Sequence, residues 1–300
     1  MMIERPFAER WTGTRLAILT ASLRSRLSTR YLPVAGTLPT REPATAVPWG
    51  YGDALAVIGW TLLLATGAAV SVIVVRLLVS LVFLMGEMTW LLPEGAYERL
   101  SQGFSPYGAA LTALVVGGGM YASLVYAVYR RTVWRYGAGW QSLGLVRLPG
   151  AVYGRLALLF IPATLAGVAI NWFVRSALGI TQEGSHLTLV SEGMTATSAN
   201  FTMLSLLLIG LAPVAEELFF RGFLFKLLRG QFPAWATIAI TAAAFAASHA
   251  SISMFPWLFF MGIVFGLAVE KTGSLYAGIM LHAMVNSLAM VSVVVALSGW

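Results

Sequence analysis

The chain has 300 residues, of which 58% are hydrophobic and only 10% charged, and its mean hydropathy is +0.80. A soluble globular domain carries about 25% charged residues, so this composition excludes an ordinary soluble domain and describes a polytopic membrane protein. Cysteine is absent, which excludes disulfides, thiol chemistry and a thiolate-ligated metal; the net charge of +7 does not point to nucleic acid, because the basic residues flank apolar segments or crowd into the N-terminus without aromatic interleaving.

Residues 1–49 form the one sizeable hydrophilic stretch, carrying Arg5, Arg10, Arg15, Arg24, Arg26, Arg30 and Arg41. Its run RWTGTRLAILTASLRSRL mixes arginine and apolar residues at a roughly helical period, which predicts an interfacial helix followed by a Pro-containing linker. It is a poor signal peptide: LAILTA is short, arginines lie on both sides, and no clean cleavage site follows. Residues 50–300 then read as one membrane domain.

Apolar windows predict membrane helices over 54–76, 107–129, 153–174, 201–228, 233–250, 254–270 and 274–297. The segment 77–92 either prolongs the first helix through Arg76 or forms a separate short membrane segment. The expected fold class is therefore all-α, a polytopic bundle of seven or eight transmembrane helices. Arginine-rich and arginine-poor loops alternate. The N-terminus, loop 130–152 (Arg130, Arg131, Arg135, Arg147), the turn with Lys226 and Arg229, and the turn with Lys271 are basic; loops 86–106 and 177–200 are acidic. This alternation predicts seven crossings and a cytoplasmic N-terminus.

Two adjacent glutamates, Glu216 and Glu217, lie with Arg221 inside the apolar run LLLIGLAPVAEELFFRGFLFKLL. Carboxylates in a bilayer are costly unless paired or functional. Glu217 and Arg221 are at i,i+4 and about 40° apart on a helix, so they can form an ion pair. Glu216 lies about 100° from Glu217 and has no partner on its own helix, which makes it the catalytic candidate. Two of the three histidines, His249 and His282, also fall within spans, each with an i,i+4 companion: Phe245-x-x-x-His249 and His282-x-x-x-Asn286. Counted from their turns along straight helices, Glu216 and His249 are about 23 and 26 Å deep, Asn286 about 20 Å and His282 about 14 Å.

Such a set permits hydrolysis. A buried glutamate is a candidate general base, with His249 holding the water and His282 and Asn286 donating to an oxyanion. Alternatively, Glu216, His249 and His282 are a candidate zinc set, although H-E-x-x-H is absent.

In order and spacing, Glu216-Glu217-x-x-x-Arg221, Phe245-x-x-x-His249 and His282-x-x-x-Asn286 resemble the motifs of the CPBP family, the CAAX-protease and bacteriocin-processing (Abi) intramembrane endopeptidases. The resemblance covers roughly residues 140–297, beginning with WQSLGLVR. It implies an all-helical membrane protease with a core at about 140–297, with Glu216 as base, His249 sharing its water, and His282 and Asn286 as oxyanion groups. Members are described both as metalloproteases and as metal-free glutamate enzymes. The metal-free reading is favoured here, on the donor character of Asn286 and the shallower computed depth of His282; zinc is the alternative cofactor. The expected substrate is a membrane-associated protein or peptide, lipidated or carrying a C-terminal sorting signal, in a prokaryotic cell membrane. Competing readings are a transporter or channel, for which paired repeats are not evident, and a non-catalytic immunity protein of the same fold.

Overall fold

The computed structural model describes residues 47–88, 93, 95–181 and 197–297. The expected interfacial helix of the N-terminus, and His186, lie outside the described residues. Among the described residues there are no strands and seven principal helices: α1 (Tyr51–Met88), α2 (Ala96–Tyr129), α3 (Gly150–Leu178), α4 (Ser198–Arg229), α5 (Ala234–Ser248), α6 (Phe255–Thr272) and α7 (Leu275–Leu297). All but α5 are long and apolar enough to cross a membrane. The 15 residues of α5 reach about 22 Å. The protein is an integral membrane helical bundle. Residues 77–88 prolong α1 without a break, so this part of the ambiguous segment is not a separate element.

The most buried helix is α4: half of its most apolar window is covered by protein, against none of the corresponding window of α1. Helix α1 packs along α2 at the edge of the bundle, whereas α4 meets α2, α5 and α7. The main core gathers Phe219, Phe220 and Phe223 of α4, Phe245 of α5, Met261 and Phe265 of α6, and Leu281 of α7. Aromatic rings in edge and stacked contact, such as Phe220 with Phe245 at 5.4 Å, supply much of that packing.

Helix α4 starts at Thr197, whose side chain accepts from the Asn200 amide, an ordinary N-cap. Its ladder then widens into π turns at Leu206–Leu211 and Leu218–Leu224. Pro213 accounts for the first. Proline has no N–H and its ring crowds the preceding turn. The Ala212 amide bonds back to Leu207 O. In that register Leu208 O would be served by residue 213, and Pro213 has no proton to give.

The two turns at the basic end of the bundle lie at different levels. Gln231 and Phe232, between α4 and α5, are exposed. Ser274 and Leu275, between α6 and α7, are fully buried. They lie under the segment that begins at the short helical turn Trp140–Leu143: Leu275 N donates to Gly144 O at 2.7 Å, and the Ser274 hydroxyl donates to Val146 O. Helix α7 therefore starts deeper than α5, and depths counted from the two turns do not share an origin.

Candidate active site

Glu216, Glu217, His249 and His282 come together where α4, α5 and α7 meet, and Asn286 lies one turn further along α7. Glu217 and Arg221 are both fully buried, with Arg221 Nη1 at 2.7 Å from Glu217 Oε1. Arg221 Nη2 donates to Gly262 O of α6 at 2.9 Å, and the guanidinium sits 4.8 Å from the Phe245 ring centre. Phe245 also meets both histidine rings edge-on, at 4.8 and 5.5 Å. One arginine and one phenylalanine thus join α4, α5, α6 and α7 around a buried ion pair.

Glu216 faces the other way, as its 100° offset requires. His249 Nε2 and His282 Nε2 lie 4.0 and 3.8 Å from its Oε2. The straight-helix estimate of a shallow His282 is overturned by this approach. Its cause is the buried α6–α7 turn, which lowers all of α7 relative to α5.

The protonation pattern follows from the partners. His249 Nδ1 is 2.8 Å from Phe245 O. A carbonyl only accepts, so Nδ1 carries the proton and the neutral ring presents Nε2 as an acceptor. His282 Nδ1 is 3.2 Å from Glu217 Oε1; with Nδ1 donating there, Nε2 is an acceptor in the neutral ring and a second donor in the imidazolium. Asn286 Nδ2 donates to Leu208 O at 2.7 Å, the carbonyl that Pro213 leaves free. An amide nitrogen has two protons, so one remains.

Two contributors were not found by reading the sequence. The Tyr121 hydroxyl of α2 donates to Glu216 Oε1 at 2.8 Å. Its signal was Gly117-Gly118-Gly119 just before it: small residues let membrane helices approach, and a Cβ on Gly117 would stand 3.1 Å from Leu207 of α4. Gly278 is the other. It precedes His282 by one turn, and a Cβ there would stand 2.5 Å from Glu217 Oε2. The missing side chain is the seat of the Glu217 carboxylate.

Apart from Tyr121 and the glycines before it, these residues all fall within one region of the chain. Residues 198–288 match the type II CAAX prenyl endopeptidase Rce1-like family. The match spans Glu216 to Asn286 and agrees with the resemblance read from the three motifs. Over these residues the chain is similar to that CAAX-protease family, and the similarity supports a protease-like function. The chain is also similar to an Escherichia coli protein known as an uncharacterized 24.3 kDa protein, 25% identical over 211 residues, which cover 67% of this chain and 90% of that relative. No solved structure matches.

Proposed function

We propose that the chain is an intramembrane endopeptidase that hydrolyses a peptide bond of a membrane-associated protein or peptide, with Glu216 as general base. The observation that carries this reading is the approach of Glu216 Oε2 to His249 Nε2 at 4.0 Å. Two acceptors at that separation are at the right distance to be bridged by one water about 2.8 Å from each. Such a water gives one proton to each acceptor and turns its lone pairs outward.

In the proposed reaction Glu216 takes a proton from the water as its oxygen attacks the scissile carbonyl. Tyr121, bonded to the other carboxylate oxygen, holds Glu216 in place. The carbonyl oxygen becomes an oxyanion. His282 donates Nε2–H to it as an imidazolium whose Nδ1–H rests on Glu217, and the second N–H of Asn286 joins it. With His282 protonated, its charge and that of Arg221 balance the two carboxylates, which suits an apolar site. When the carbon–nitrogen bond breaks, Glu216 returns its proton to the leaving amine.

The spacing of the donors supports the metal-free form over zinc. Glu216 Oε2 lies 4.0 and 3.8 Å from the two histidine nitrogens, and ligand pairs so spaced at about 2.1 Å from one ion would subtend angles of about 130° to 144°, above the roughly 109° of a tetrahedral site.

An apolar groove of about 470 Å³ lies at the end of α5, lined by Val174 and Leu178 and by Ala246, Ala250, Ile252 and Phe255, which flank His249 in sequence. Its apolar lining suits a substrate with a lipid chain or an apolar C-terminal signal; the membrane in the proposed reading is that of a prokaryotic cell. The test is cleavage of membrane-tethered peptides by the purified protein in liposomes, read by mass spectrometry and paired with elemental analysis. Cut peptides without stoichiometric metal are expected. Zinc whose removal ends cleavage and whose return restores it contradicts the metal-free mechanism, and failure to cut any tethered peptide contradicts the protease reading.

A further inference from the structure

A second cluster of charge lies away from this site, where the start of α1 meets the end of α2. Helix α2 widens into a π turn at Arg130–Trp134. A π turn brings positions i, i+4 and i+5 onto one face, and here those positions are Arg130, Trp134 and Arg135. They line a cleft of about 290 Å³ with Arg131, Tyr126 and Trp60, near the lower end of the range for small-ligand sites.

We propose that this cleft binds the headgroup of an anionic phospholipid. Its cations are held in advance. The Arg130 guanidinium lies 3.6 Å from the Trp134 ring centre. Arg131 and Arg135 each stand 3.8 Å from Asp53 Oδ1, while Asp53 Oδ2 accepts from the Tyr136 hydroxyl at 2.7 Å and from the Gly50 amide at 3.1 Å. Asp53 is buried, and one carboxylate set against three guanidinium groups leaves an excess of positive charge around the cleft. Arginine so restrained loses little freedom when it grips a phosphate.

The aromatic rim and the helix below it favour a lipid over free phosphate. Trp60, Tyr126 and Trp134 are all largely exposed, and amphipathic rings of this kind sit at headgroup level. Leu63 and Leu64 follow Trp60 at i+3 and i+4, so they share its face, and both are exposed. The cleft is thus continuous with an apolar helix face along which acyl chains can lie. Charge bias between loops alone would not gather arginines around a cleft. Arg147 and Arg155, which are exposed and outside it, show what unclustered arginines look like.

Native mass spectrometry of the detergent-solubilised full chain with phosphatidylglycerol, phosphatidylcholine and inorganic phosphate tests this. The wild-type protein is expected to retain phosphatidylglycerol roughly ten-fold more than phosphatidylcholine, without displacement by phosphate. The double variant Arg130→Gln/Arg135→Gln should lose most of that preference, and Arg147→Gln/Arg155→Gln should keep it. Equal retention of the two lipids by wild type overturns the proposal, a result that needs no variant to fold. So does displacement by inorganic phosphate, which would make the site one for the free anion, and so does equal loss in both double variants, which would reduce the effect to general charge.

Discussion

Asn286 on α7 supplies the hydrogen bond that Pro213 on α4 cannot. The Leu208 carbonyl sits in the π turn before Pro213, and Asn286 Nδ2 donates to it at 2.7 Å. A fully buried carbonyl left alone costs about 1–3 kcal/mol, and this bond is part-buried, which makes that range an upper bound. A proline three residues before Glu216 thus fixes the position of an amide four residues beyond His282.

This coupling is measurable. Asn286→Ala should destabilise the protein by about 0.5–1.5 kcal/mol. With Pro213→Ala present the backbone regains an N–H for Leu208, and the cost of Asn286→Ala should fall. Unfolding of both single variants and the double variant gives the interaction energy. Strict additivity would show that Asn286 does not serve this carbonyl.

Glu217 and Arg221 should behave as a structural pair. Both are fully buried and 2.7 Å apart, so removing either partner leaves an uncompensated charge, at a cost of about 3–5 kcal/mol. Glu217→Ala and Arg221→Ala should lower the unfolding temperature or expression sharply. Wild-type stability in either variant contradicts the role.

Tyr121→Phe keeps the ring and removes only the hydroxyl that holds Glu216. Losing a hydrogen bond to a charged group should lower stability by about 1.5–3 kcal/mol, and the loosened carboxylate should slow turnover roughly ten-fold or more, since misplacing a reacting group costs up to about 10²-fold. An unchanged rate would remove Tyr121 from the reaction.

Much of this architecture was legible in the sequence because apolar length and i,i+4 spacing are local quantities. The seven helices, the Glu217–Arg221 pair and the separate face taken by Glu216 all follow from them. What was not legible depended on where helices start relative to one another. The depth of His282 was misjudged because the buried contacts of Ser274 and Leu275 with the 144–146 segment are not encoded near either residue. Tyr121 belongs to a helix distant in sequence, and its three preceding glycines signal a close approach without naming the partner. The apolar window predicts a helix to 250, but α5 closes at Ser248 and Ala250 adopts a left-handed φ of 50°, a conformation of which alanine gives no warning.

The orientation inferred from the arginine loops has its own test. Reporter fusions at about residues 95, 140 and 190 should read extracytoplasmic, cytoplasmic and extracytoplasmic in turn. An extracytoplasmic signal at residue 140 contradicts the proposed topology.

The central claim is that Glu216 takes the proton from the attacking water. Glu216→Gln preserves the size of the side chain and its acceptor for the Tyr121 hydroxyl, but it cannot act as a base. The most direct measurement is the turnover of a membrane-tethered peptide by this variant in liposomes, alongside its unfolding temperature. The account predicts a loss of at least about 10²-fold in a protein that inserts and unfolds like wild type; wild-type turnover in the variant would contradict it.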